Sequence, residues 1–250
     1  MEEILVYFSI KYNGSFDRVY EAITSQKGID QDDFRHVLSN ISCNYTTILS
    51  SDYPECFKSI VCPPLVLFYY GDLSLIDKNM IGVIGMRDCS DYGRKACQFL
   101  VGDLVEEGYV IVSGLARGID GEAARVAIEG GGKTIAILGS GIDYCYPKRH
   151  QSLYDEIKEN HLIISEYPGY CAPTREHFPA RNRIIAALSN KLLVVEADVR
   201  SGTMITVGFA LEQGKEVYSV PNTIFGHQGC NELISMGAKL VRSAKDIIDD

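Results

Sequence analysis

The sequence predicts an α/β fold: a largely parallel sheet with helices on both faces, preceded by a small helical N-terminal region. Three observations predict it. From Ile81 onward, short runs of continuous apolar residues alternate with segments at helical spacing, the pattern of buried parallel strands covered on both sides. Three of these runs end in glycine loops. Ile81–Ile84 enters Gly85-Met86-Arg87, Tyr109–Val112 enters Ser113-Gly114-Leu115-Ala116-Arg117-Gly118-Ile119-Asp120, and Thr134–Leu138 enters Gly139-Ser140-Gly141. Finally, 250 residues, 46% of them apolar, are enough to bury a full core.

In chain order, residues 1–62 read as a small helical domain. Glu2 to Tyr12, Asp17 to Thr24 and Asp32 to Ile41 carry apolar residues at helical spacing, and Asp30 and Asp32 are candidate N-caps for the third segment. Cys62-Pro63-Pro64 marks a boundary, and residues 63–250 form the second unit. Its strands are expected at Leu65–Tyr70, Ile81–Ile84, Tyr109–Val112, Thr134–Leu138, His161–Ser165, Leu192–Val195, Glu216–Val220 and Lys239–Val241. Helices are expected at Asp91–Glu107, Gly121–Glu129, Ser152–Glu159, Ile184–Leu188, Thr203–Gln213 and Asn231–Met236. In such a sheet, ligands bind outside the carboxyl ends of the strands, where all three glycine loops fall.

A net charge of −9 argues against a protein that coats nucleic acid non-specifically, but it leaves room for a local basic groove. The N-terminus lacks the basic and apolar parts of a signal peptide, and no apolar run approaches the ~20 residues of a membrane span, so a cytoplasmic protein is expected. The eight cysteines show no Cys-x-x-Cys and no zinc spacing, so they read as reduced core cysteines, with no metal expected.

A strand that ends in a glycine loop and opens a helix gathers backbone N–H groups and a helix dipole at one point, which suits a phosphate. Ser113, Gly114 and Gly118 supply such a loop, and Arg117 adds a fork of donors. Tight turning alone is the other account of the glycines. Arg87, beside Gly85, is either a phosphate contact or a solvated loop arginine. No Gly-x-Gly-x-x-Gly is present, which disfavours a dinucleotide cofactor. The loop from Gly139, Ser140 and Gly141 to Arg149 sets Tyr144 and Tyr146 beside Lys148, either for base stacking and backbone neutralisation or as a braced loop. Phe178-Pro179-Ala180-Arg181-Asn182-Arg183 is the densest basic element. Read as the first turn of a helix, its arginines oppose the dipole, so an anion is expected there unless neighbouring carboxylates pair with them. Ser201, Gly202 and Thr203 open another helix as caps or phosphate ligands. His36, His150, His161, His177 and His227 are scattered, and no Ser or Cys sits in a nucleophile elbow, so no catalytic residue is assigned.

Taken together, Ser113–Asp120, the Gly139–Pro147 loop, Phe178–Ser189, Val195-Glu196-Ala197 and Arg200-Ser201-Gly202-Thr203 closely resemble the DNA-processing protein A (DprA/Smf) family. So do Ser219-Val220-Pro221 and the stretch from Gly229 to Ala238. The resemblance implies an extended Rossmann-like domain that binds single-stranded DNA, protects incoming strands in natural transformation and helps load the RecA recombinase. It implies no enzymatic activity and no cofactor. By motif position, Gly85 and Arg87 match the family's Gly-Ser-Arg loop, Lys148 its lysine after Tyr-Pro, and Arg181, Asn182 and Arg183 its Arg-Asn-Arg. A homodimer is also implied, with Lys239 to Ile248 as its expected surface. Met86, Ala124 and Asn222 depart from the family's serine, histidine and glycine, and with the sequence ending at Asp250 no winged helix is expected. The competing reading is a nucleotide-binding or nucleotide-hydrolysing protein of the lysine-decarboxylase-like Rossmann fold, whose Pro-Gly-Gly element is missing before Thr203.

Overall fold

Alternation along each strand decides which residue faces which layer. The computed structural model describes residues 1–250. Its strands are β1 (Asn44–Thr47), β2 (Val66–Gly71), β3 (Met80–Gly85), β4 (Val110–Ser113), β5 (Lys133–Ile137), β6 (Leu162–Ser165), β7 (Lys191–Glu196), β8 (Glu216–Ser219) and β9 (Lys239–Leu240). They form one nine-stranded sheet in the order β1-β2-β6-β5-β4-β3-β7-β8-β9. All neighbours are parallel except β1 with β2 and β2 with β6.

The helices are α1 (Glu2–Lys11), α2 (Phe16–Thr24), α3 (Gln31–Ser39), α4 (Glu55–Lys58), α5 (Asp91–Glu106), α6 (Ile119–Glu129), α7 (Gln151–Asn160), α8 (His177–Leu188), α9 (Gly202–Glu212), α10 (Gly229–Ser235) and α11 (Lys245–Ile248). Met80, Ile84, Val112, Ile137, Ile164 and Val194 point to one face, where α8, α9 and α10 cover them with Ile184, Ile185, Val207 and Leu233. Ile81, Val83, Ile111 and Leu193 point the opposite way, under α5 and α6. Farther along that face, Ala136, Leu138 and Ile163 meet α1, α2 and α7. A period of two on strands buried on both sides is what makes these runs continuously apolar.

Three elements differ from the sequence reading. Asn44–Thr47, expected within a helical unit, is the edge strand β1, and Leu5, Val6 and Phe8 share one core with sheet residues. The short apolar-polar stretch carries no strand signal until β2 offers it a partner. Helix α8 begins at His177 rather than Ile184, so Arg181 to Arg183 lie in its second turn. Val241 and Ile247, expected on an exposed surface, are buried against the α5 layer, which leaves Leu240 as the exposed apolar residue of that end. Asp30 does cap α3, accepting from the amides of Asp32 at 3.1 Å and Asp33 at 2.9 Å.

The chain runs outward from β3 through β4, β5 and β6, then returns to place β7 on the other side of β3. The crevice beyond the carboxyl ends of β3 and β7 is therefore the switch point, where open α/β sheets place ligands.

Candidate functional site

A cavity of about 670 Å³ opens at this switch point. The loop after β3 contributes Gly85, Met86 and Arg87, the start of α9 contributes Ser201, Gly202 and Thr203, and α8 contributes Phe178, Arg181 and Asn182. A smaller recess of about 110 Å³ continues from it, bordered by Arg87, Gly114, Arg117, Gly139, Ser140, Tyr146 and Phe178.

The rim of the site is an arginine–aromatic cluster. The guanidinium of Arg87 lies 4.9 Å from the centre of the Phe178 ring, and the Tyr146 ring lies 5.7 Å from Phe178. Arg87 is exposed, and Tyr146 keeps 46% of its surface open. Gly139 lets the Phe178 ring approach, since a β-carbon there would stand 2.9 Å from it. The backbone beneath is fixed: the Met86 amide donates to the Glu196 carbonyl at 2.9 Å, and the Ile119 amide to the Met86 carbonyl at 3.1 Å. Glu196 is buried and accepts from the amide and hydroxyl of Ser90, at 2.8 Å and 2.6 Å. Ser90 in turn caps α5 through the Gly93 amide.

The floor of the site is already charged and satisfied. The Gly114 amide, expected to meet a phosphate, donates to Asp120 Oδ2 at 3.2 Å. A buried carboxylate of the chain itself thus occupies the Ser113–Asp120 loop. Arg181 is buried below the cavity, where Nη1 donates to the carbonyls of Gly114, at 2.7 Å, and Ile137. Burial pulls its pKa down to about 10, Asp120 opposing the change, so it stays cationic at neutral pH. Burial also raises the Asp120 carboxyl, while Arg181 and the Gly114 amide pull the other way. Glycine at 114 leaves room for the guanidinium, since a β-carbon would stand about 2.5 Å from it. Gly118 has φ +73° and lies against the Met86 and Arg87 carbonyls, a conformation and a closeness that disfavour any side chain.

Other candidates are engaged within the protein or stand at the margin of the groove. Arg183 is buried, with Nη1 and Nη2 on Glu166 at 2.8 Å and 2.6 Å, and Nη2 on the Cys62 carbonyl at 2.7 Å. Burial opposes its charge, but Glu166 more than offsets this and its pKa is raised. The expected anion at Arg183 is an internal carboxylate, so Arg183 does not line the groove with Arg87. Ser113 is buried and donates to the Val83 carbonyl at 2.7 Å, tying β4 to β3. Ser140 donates to the Tyr144 carbonyl at 2.7 Å, which closes that loop on itself, and the Gly141 amide donates to the Cys171 carbonyl at 2.7 Å, which ties the loop to the segment after β6. Ser201 donates to the Asp198 carbonyl at 2.9 Å. Arg117 is exposed and 3.4 Å from Asp88. Lys148 is exposed, one residue past Pro147 of the small recess, and makes no ion pair.

Arg175 and Ala116 also line the main cavity, and the sequence reading did not name them as site residues. Arg175 follows β6 in a segment without helix or strand, and only the sheet topology brings it to the groove.

The class defined here is an open, doubly wound α/β protein with an arginine–aromatic groove at its switch point, suited to phosphate-bearing ligands with exposed rings. Within that class the chain belongs to the DNA recombination-mediator protein A family, whose sequence model matches residues 44–250. It is 44% identical over 204 residues to the DNA processing protein DprA of Streptococcus pneumoniae, covering 81% of this chain and 72% of that protein. It is 41% identical over 210 residues to DprA of Bacillus subtilis, covering 83% and 71%. The X-ray structure of the pneumococcal protein superposes with a TM-score of 0.84 at 35% identity, covering 99% of this chain and 93% of that one. A structure of DNA processing protein A from Helicobacter pylori, concerned with that protein's single-stranded DNA binding mode, has a TM-score of 0.76 at 31% identity and covers 83% and 95%. No helix is long and apolar enough to cross a membrane.

Proposed function

We propose that this chain binds single-stranded DNA in the switch-point groove as a recombination mediator. In this reading it protects incoming strands and helps load RecA during natural transformation and recombination, acting without catalysis, as a homodimer in the cytoplasm. The observation that carries the binding step is the Arg87–Phe178–Tyr146 cluster at the mouth of the cavity. Rings stack on bases only when the bases are unpaired, and the guanidinium supplies a backbone contact beside them. Membership of the family and the likeness to the Helicobacter pylori protein support the same ligand. RecA and the homodimer rest on the family resemblance alone.

The test is a titration of labelled oligonucleotides, single-stranded and duplex, at several salt concentrations. Single strands should bind more tightly, with little sequence preference and a log–log salt slope of ~0.7 per neutralised phosphate. Equal affinity for duplex and single strand of one length would overturn the reading. Tight mononucleotide binding with no gain from longer strands would replace it with a nucleotide-binding protein.

A further inference from the structure

A second cavity, of about 530 Å³, lies beside the groove between α5, α6 and the turn at Lys148–His150, and Arg87 lines both. Arg94, Arg125 and Arg149 complete its arginine lining, against two carboxylates, Asp88 and Glu122. Neither carboxylate is free to fill the space. Glu122 is buried, and its Oε2 accepts from Arg94 Nη1 at 3.2 Å and Arg125 Nη1 at 2.6 Å. Its other oxygen accepts from Gln98 Nε2 at 2.6 Å. Asp88 is exposed and paired with Arg117.

The arrangement sets negative charge below and positive charge outward. The Arg94 and Arg125 side chains stay 46% and 44% exposed, and both bond to Glu122 through Nη1, which leaves their Nε and Nη2 donors without a protein acceptor. Arg149 is exposed and makes no ion pair. One arginine would neutralise Glu122. A second arginine on the same oxygen, with Arg149 and Arg87 nearby, makes a surplus of oriented donors. Holding guanidiniums in place before a ligand arrives lowers the ordering cost of binding, and the fork geometry fits phosphate oxygens.

We propose that this cavity is a second phosphate subsite, which takes backbone phosphate of the same single strand whose bases lie in the groove. The strand would cross the ridge where Gly118 packs on the Met86 and Arg87 carbonyls. The inference rests on the single-strand reading and adds to it a dependence on length. A short strand fills the groove alone, whereas a longer one reaches both sites.

The experiment compares Arg149→Ala and Arg125→Ala with the parent, using oligothymidines of about six and about twenty nucleotides, lengths that bracket common single-strand site sizes. Each variant should lose about tenfold in affinity for the long strand, the scale of one charge-assisted contact, and less than about twofold for the short one. Arg87→Ala should weaken both. Arg149 is exposed and makes no ion pair, so its variant stays informative if Arg125→Ala misfolds. Unchanged long-strand affinity in folded Arg149→Ala overturns the subsite, as does an equal loss on both lengths, which would mark a general field effect. If the parent binds neither strand, the single-strand reading itself fails, and the subsite with it.

Discussion

Arg87 and Phe178 stand 91 positions apart in sequence, yet the guanidinium lies 4.9 Å from the ring centre, at the mouth of the switch-point cavity. An exposed cation–π contact contributes only ~0.5–1 kcal/mol, too little for stability to account for a half-buried ring held open on one side. On the proposed single-strand reading the ring is a stacking platform for a base. Phe178→Ala should weaken single-strand binding by ~1–3 kcal/mol with no dependence on base identity, and Phe178→Tyr should retain most of it. Fluorescence anisotropy on homopolymers of different bases checks this, after circular dichroism shows that the variants fold. A loss confined to one base would point to edge recognition instead.

Arg87→Ala and Lys148→Ala should each lower affinity by roughly ten- to a hundredfold, the scale of a hydrogen bond to a charged group. The salt slope should shrink by somewhat under one unit. Arg35 is the control. It is exposed on α3, 3.9 Å from Asp32, away from the groove. Unchanged binding in both folded variants would put the strand elsewhere.

Arg183 calls for a different outcome. Its guanidinium is buried on Glu166 and joins α8 to the Cys62 carbonyl, so Arg183→Ala strands a buried carboxylate. Breaking such a pair costs about 3–5 kcal/mol, whereas replacing both partners with apolar residues costs much less. Urea unfolding of Arg183→Met alone and of Arg183→Met with Glu166→Leu checks this, the double variant recovering most of the loss. If Arg183→Met leaves stability intact and weakens DNA binding, the residue belongs to the groove after all.

The contrast between Arg87 and Arg183 shows what the sequence made legible. Strand-to-glycine junctions located the sheet edge, because apolar runs and turn residues are local signals. They led to Gly85, Arg87, Phe178 and Thr203, which do meet at one cavity. The partners of buried charges are not local. Arg181 faces Gly114 and Ile137, and Arg183 faces Glu166, through contacts that exist only once α8 lies on the sheet. The Asp120 carboxylate in the Ser113–Asp120 loop is not readable in sequence for a similar reason. A loop of amides looks the same in sequence whether its anion is a ligand or the protein's own side chain. Strand β1 escaped notice because its pairing with β2 crosses the Pro63-Pro64 punctuation.

A last prediction concerns acid. His150, His161 and His177 are each held below the ordinary 6.5, burial being the largest cause in every case. His150 is buried with Nδ1 3.1 Å from the Leu115 carbonyl, His161 is buried with Nδ1 unpartnered, and His177 stacks on Tyr167 at 3.9 Å. Above about pH 6.5 these rings are neutral in both folded and unfolded chains, so they give stability no pH dependence. As pH falls below that value, the unfolded chain takes up protons that the folded one refuses. Stability therefore declines until the folded pKa values are reached, by up to ~1.4 kcal/mol per pH unit for each ring that titrates fully differently. The depressed carboxylates Asp33, Asp72, Asp246 and Asp250 act lower, since their contribution is lost only as pH falls below their ordinary 3.8 and through their folded pKa values. In the window between, the buried carboxyls of Asp120 and Glu166, raised by burial, act with the opposite sign and favour the folded chain as pH falls. The histidine contribution is therefore read from single variants. Relative to the parent, His161→Gln should lose less melting temperature between about pH 7.5 and about pH 5.5, because one of the three protons that only the unfolded chain accepts is removed. The same shift between about pH 7.5 and about pH 5.5 in His161→Gln and the parent would show that this ring accepts its proton in the folded state.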